Sequence, residues 1–287
     1  MDPLQLVRLA PLMSRSQGRP ELAVALIDGP VALDHPDLAQ STMKEIPGAV
    51  RGSCSRLESV ACMHGTFVAG MLAARRGSQA PAICPGCTLL VRPIFAESTQ
   101  DNHPIPSASP RELAKAITDA IGAGANVINL SAALTQPSSR GERQMEQALD
   151  YAAQHAVLVV AAAGNQGTVG SSAITRHPWV ISVIGCDSQG RPTAESNLGS
   201  SIGRWGLAAP GENITSLGAD GKPQTSAGTS AAAPFVTGAI ALLWSEFPGA
   251  RAAQIKLAVT QAGRPARRTI APPLLDAWAA YEALSRN

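Results

Sequence analysis

The sequence predicts an α/β fold in which a parallel β-sheet carries helices on both faces. Three observations point to it. Short, wholly apolar runs recur along the chain, as strands buried on both faces require. Helical stretches with recognisable start and stop signals lie between most of them. Ala, Gly and small aliphatics dominate while aromatics reach only 3%, a composition that lets helices pack closely on a sheet.

In chain order, the expected strands are "LAVALID" (22–28), "TLLVRPIF" (88–95), "NVINLSAAL" (126–134), "VLVVAAAG" (157–164) and "WVISVIG" (179–185), each an apolar run of strand length. "MHGTFVAGMLAA" is expected to open a helix at His64, with Gly65, Ala69 and Gly70 small enough for close packing. "SPRELAKAITDAIGAGA" offers Ser109 as N-cap, Pro110 at the first helical position and Gly122 or Gly124 as the stop. "RGERQMEQALDYAAQHA" places Met145, Ala148, Leu149 and Ala152 on one face. "GTSAAAPFVTGAIALLW" (228–244) starts a helix at Thr229 and Ser230, with Pro234 accommodated near its first turn. Two closing helices follow, in "RAAQIKLAVTQAG" and "APPLLDAWAAYEAL", separated by the basic turn "RPARR".

No linker, repeat or low-complexity tract divides the chain, so one domain is expected over 21–287, with residues 1–20 as a segment packing on it. Lys and Arg number 23 against 21 Asp and Glu. That balance gives no general pull toward nucleic acid or an anionic membrane. The longest apolar stretch is interrupted by Pro234, Thr237 and Gly238, well short of a span. Fewer than 30 residues precede Asp28, and they contain no uninterrupted apolar region, so neither a signal peptide nor a secreted-type prodomain is expected. The expected location is cytoplasmic.

Five cysteines leave at least one thiol unpaired within the chain. Cys54 and Cys62 lie eight apart, Cys84 and Cys87 form "CPGC", and Cys186 stands alone. No second C-x-x-C or paired histidines complete a zinc set; loop disulfides and free thiols both remain open.

In an open parallel sheet, reactive groups gather at the carboxyl ends of the strands. The first strand ends in Asp28 and the fourth delivers Asn165, while His64 and Ser230 sit at helix starts. Serine is a poor nucleophile until a base takes its proton and a field stabilises the developing oxyanion. A helix N-terminus supplies such a field. Gly228 permits close backbone approach, and Ala231 to Ala233 keep bulk away. The order Asp, His, Ser is one of the convergent arrangements of a catalytic triad.

The segments "ALIDGPVALDHPDL", "HGTFVAGMLAA", "AAAGNQG" and "GTSAAAPFVTGAIALL" resemble those of subtilisin-like serine proteases (subtilases, the S8 peptidases) that carry the aspartate, the histidine, the oxyanion-hole asparagine and the serine. "AESNLGSSIGRWGLAAPGENITS" (194–216) resembles the family's stretch before the serine. The resemblance implies a serine endopeptidase with Ser230 as nucleophile, His64 as base, Asp28 orienting it and Asn165 holding the oxyanion. It also implies a peptide or protein substrate held as an extended strand by Ser131, Ala132 and Ala133, with Ala162, Ala163, Gly164 and Thr229 lining the subsites. No cofactor or catalytic metal is expected, and the family's scattered structural calcium ligands cannot be placed by motif. Gly29 and Pro30 depart from the Thr-Gly or Ser-Gly that usually follows the aspartate. "DGPV", "RPIF" and the paired cysteines lie closer to the branch containing cyanobactin-processing proteases, which act on ribosomal precursor peptides.

Taken singly, Asp28 reads as a turn residue, His64 as an interior histidine and Ser230 as a cap; their conjunction with Asn165 favours chemistry. His35, His103, His155 and His177 read as loop or capping groups, and Asp34 and Asn129 as structural hydrogen-bonders. "RRG" after the histidine helix and "RPARR" read as solvated faces. Two alternatives use the same scaffold. One is a peptide ligase or macrocyclase, disfavoured by the lack of a long lid-forming insertion near His64; the other is a non-catalytic peptide-binding module, which has no need of all four residues.

Overall fold

The computed structural model describes residues 1–97, 108–132, 142–261 and 269–286. Two short helices, α1 (Pro3–Leu6) and α2 (Ala10–Arg15), precede β1 (Ala23–Asp28), a single 3₁₀ turn (Pro36–Leu38), β2 (Met43–Glu45) and α3 (Val60–Ala73). The alternating body follows as β3 (Thr88–Pro93), α4 (Pro110–Gly122), β4 (Val127–Leu130), α5 (Glu142–Gln154), β5 (Leu158–Ala162), α6 (Ala173–Arg176), β6 (Val180–Cys186), α7 (Ser200–Trp205) and β7 (Leu207–Pro210). A hairpin of β8 (Ile214–Leu217) and β9 (Pro223–Ser226) leads into α8 (Thr229–Glu246), α9 (Ala252–Gln261) and α10 (Ala277–Ser285).

Seven strands form one sheet in the order β2-β3-β1-β4-β5-β6-β7, and every pairing in it is parallel. Its inner strands are buried on both faces. Val24 and Leu26 face a core built with Phe67, Met71, Phe235 and Ile240 of α3 and α8, whereas Ala25 and Ile27 face Ile117, Met145 and Leu149 of α4 and α5. The expected fold class is therefore the observed one, and the five expected strands and both helix registers are present, with Ser109 capping α4 through the Glu112 N–H at 3.1 Å.

Fifteen of the eighteen residues of α8 are buried, which explains why its sequence is apolar all round. Its polar exceptions are satisfied inside: Thr237 donates to Asn129 Oδ1 at 2.7 Å and Ser245 to the Ala241 carbonyl at 2.8 Å. Asn129 is thus structural, as expected. Pro234 corrects the sequence reading. It is the sixth residue of α8 rather than part of its first turn, so the Ser230 carbonyl lacks its usual i+4 donor.

Residues 1–20 fold against the sheet domain. Leu12 joins the α8 core, Ala277 N–H donates to the Val7 carbonyl at 3.0 Å, and Arg8 pairs with Asp276 at 2.9 Å. Arg76 overturns the expectation of a solvated "RRG". Its guanidinium donates to the carbonyls of Met13 and Ser16 in the N-terminal segment and of Ala82 and Ile83 in the loop after α3, and so joins the two. The basic turn 264–268 lies outside the described residues, as does His103. His35 receives the Asp37 N–H, His155 contacts its own helix at the Tyr151 carbonyl, and His177 pairs with Asp150. Among the described residues no helix is long and apolar enough to cross a membrane.

Candidate active site

Asp28 ends the inner strand β1, between β3 and β4, and is fully buried. Its Oδ1 accepts the Gly29 N–H at 2.6 Å and lies 2.7 Å from His64 Nδ1. Its Oδ2 is buried with no hydrogen-bond partner among the described residues. A Cβ on Gly29 would stand 2.0 Å from the Ala61 carbonyl oxygen, and one on Gly65 would meet the Pro30 carbonyl at 2.3 Å. Backbone therefore touches backbone where α3 crosses the end of β1, leaving no room for the family's hydroxyl. That close crossing brings His64 to Asp28.

His64 does not open its helix, as the sequence reading expected. α3 begins four residues earlier, at Val60, because Ser59 caps it by accepting the Cys62 N–H at 3.1 Å. A disulfide from Cys54 to Cys62, with Cα atoms 5.6 Å apart, ties the preceding loop to the first turn; Cys84, Cys87 and Cys186 are free and buried. The His64 ring is 29% exposed while Asp28 is closed off, so one edge of the imidazole is anchored and the other faces the cleft. With Nδ1–H donated to the carboxylate, Nε2 is left as the acceptor for the Ser230 hydroxyl, 2.9 Å away. Burial lowers the basicity of the imidazole, but the charge and hydrogen bond of Asp28 outweigh it and raise the pKa above 6.5.

Ser230 is the second residue of α8. Gly228 supplies the N-cap at φ +106°, a conformation that side-chain-bearing residues rarely adopt. Thr229 N–H donates to Asn165 Oδ1 at 2.9 Å. With its oxygen so occupied, Asn165 holds Nδ2 beside Gly228, 2.8 Å from where a Cβ there would stand. The exposed amide hydrogens of Asn165 and the Ser230 N–H, which finds no acceptor among the described residues, are both available to an oxyanion. The latter donor was missing from the sequence reading; its signal is simply the serine's place in a helix's first turn.

The expected substrate residues fare differently. Thr229 is fully buried and its hydroxyl accepts the Gly164 N–H at 3.1 Å, which ties the segment after β5 to α8. Ala162 and Ala163 are buried, Ala163 giving its N–H to the Val183 carbonyl at 2.9 Å, and Gly164 follows them, also buried. Ser131 is half-buried and bound back to the sheet through Asn129 Nδ2 at 2.9 Å. Ala132 is buried beyond it. Ala133 lies outside the described residues. Among the described residues, Cys54, Cys62 and Glu97 alone bring three ligand-type atoms together, and the disulfide occupies both sulfurs.

The sequence pattern of the Subtilase family matches residues 20–271. A thermostable alkaline protease of Halalkalibacterium halodurans is 30% identical over 244 residues, covering 83% of this chain and 61% of that protein. The chain thus spans less than two thirds of that relative's length. Among solved structures, a serine-to-alanine mutant of the protease domain of PatA superposes with a TM-score of 0.85 at 31% identity, over 94% of this chain and 97% of that one. The prenylagaramide maturation protease PagA superposes at 0.83 and 29%, over 96% and 98%. Because the family's pattern runs from before β1 to beyond α9 and takes in Asp28, His64, Asn165 and Ser230 together, the protein belongs to the subtilase family.

Proposed function

We propose that the protein is a serine endopeptidase whose substrate is a precursor peptide bound as an extended strand. The observation that carries this is the unbroken chain from buried Asp28 through His64 to Ser230, at 2.7 and 2.9 Å, beneath a pre-oriented Asn165 amide. Ser230 Oγ attacks the scissile carbonyl as its proton passes to His64 Nε2. Asp28 holds the resulting imidazolium. Asn165 Nδ2 and the Ser230 N–H receive the oxyanion. Collapse expels the amine, which takes the proton from His64, and water resolves the acyl-enzyme by the same route in reverse.

The likeness to PagA, a maturation protease, supports a ribosomal precursor peptide as the natural substrate. Backbone groups of the Ser131–Ala133 segment, at the end of β4, are the proposed partners of the substrate strand. The cytoplasm is proposed as the compartment, which fractionation of producing cells tests. The function itself is tested by incubating a diverse peptide library with wild type and with Ser230→Ala, then reading products by mass spectrometry. New termini made by wild type alone are expected. Cyclic or spliced products would replace hydrolysis with aminolysis, and inert folded protein that also ignores a fluorophosphonate would overturn an activated serine altogether.

A further inference from the structure

Glu97 stands outside the triad, past the end of β3, yet its half-buried carboxylate is wholly engaged by one short loop. Oε1 accepts the Arg56 N–H at 2.8 Å and the Ser59 hydroxyl at 3.2 Å. Oε2 accepts the Ser55 N–H at 2.9 Å and also the Ser55 hydroxyl. Burial opposes the charge, but these donors outweigh it and hold the carboxyl below its ordinary pKa. Ser59 is also the cap of α3, accepting the Cys62 N–H at 3.1 Å. A hydroxyl can donate its proton one way and accept the other way at once. Carboxylate, hydroxyl and helix amide thus form a relay from the sheet to the first turn of α3, two residues before His64. A negative charge beside a helix N-terminus further favours this arrangement.

The same loop carries a second tie. Cys54, immediately before Ser55, is bonded to Cys62, and both sulfurs and a Glu97 oxygen lie within 4.8 Å of one another. Ser55 to Glu58 are exposed and gain little from burial, so these two ties set where the loop and the start of α3 lie. α3 in turn sets His64 against Ser230, where a displacement of about 1 Å costs on the order of 10²-fold in rate.

We infer that Glu97 is a positioning residue for His64, acting through Ser59 in parallel with the Cys54–Cys62 bond. This rests on the serine-protease reading above. The parallel arrangement has a specific consequence: loss of one tie costs little while the other holds. In a reducing compartment, where such bonds open, the relay through Glu97 is what remains.

The test is the rate of fluorophosphonate labelling of Ser230, measured against pH, for wild type, Glu97→Ala, Cys54→Ala/Cys62→Ala and the triple variant, with circular dichroism to confirm folding. Each tie removed alone is expected to slow labelling by about threefold and both together by roughly a hundredfold, far beyond the product of the separate effects. The triple variant's pH midpoint should also fall, because His64 loses part of its contact with Asp28. Glu97→Gln, which keeps the shape and one acceptor, should label at an intermediate rate and covers the case in which alanine prevents folding. Effects that simply multiply, or lowered melting temperatures with unchanged labelling and midpoint, overturn the inference. If wild type itself does not label, the serine-protease reading fails instead.

Discussion

At the scale of single residues, His64 sets how the protein responds to pH. Catalysis needs the neutral ring, and Asp28 raises the pKa above 6.5. Turnover with a peptide substrate should therefore fall as pH drops through that raised value, a fall read from kcat/KM against pH. Stability runs the opposite way. A group whose folded pKa exceeds its unfolded one contributes stability that is fully present below the unfolded value and is lost as pH rises through the folded value. Thermal melts of wild type and His64→Ala across pH 5 to 9 should converge toward the alkaline end. The oxyanion role proposed for Asn165 makes a separate prediction: Asn165→Ala should lower kcat by about 10²- to 10³-fold with little change in KM, because such a donor acts once charge develops on the substrate oxygen. The juxtaposition of Asp28, His64, Asn165 and Ser230 was legible in the sequence because their motifs follow one another in the order of a known triad. Thr229 was not, because the N–H that occupies its hydroxyl belongs to Gly164, 65 positions away.

Among elements, the crossing of α3 over β1 decides the geometry of the site. Gly29→Ala would drive a methyl into the Ala61 carbonyl. The expected result is destabilisation of about 1–3 kcal/mol, or more if α3 cannot shift, measured by denaturant unfolding, with a loss of activity that exceeds the loss of folded protein. Inner strands such as β1 and β5 were readable because burial on both faces makes them continuously apolar. β2 and β9 were not: Lys44, Glu45 and Pro223 are exposed, so short edge and hairpin strands read like ordinary loop. The start of α3 was misplaced for a related reason. Ser59 caps α3 by accepting the Cys62 N–H, and a helix reading begun at "MHGTF" leaves both residues out.

For the molecule as a whole, the N-terminal segment is a structural part of the domain. Arg76 binds four backbone carbonyls, of Met13, Ser16, Ala82 and Ile83, from two separate stretches, and Arg76→Ala would remove the donor from all of them. A loss of about 1–3 kcal/mol is expected, together with faster clipping of residues 1–16 by an added protease. Unchanged resistance to clipping would show that the packing of Leu12 alone secures the segment. Fold class was legible at this scale from composition and alternation, and residues 1–20 were expected to pack on the domain, but the contacts that dock them, with α8, α10 and Arg76 in the loop after α3, are ones no local pattern reveals. The sheet order carries one more consequence. Asp28 is made first, His64 follows after 36 residues and Ser230 after a further 166, and α8 is held by packing across β4, β5, β6 and β7. A growing chain on the ribosome therefore has no nucleophile in place until all seven strands of the sheet have been translated, and sibling chains on the same messenger are safe from it until α8 has docked.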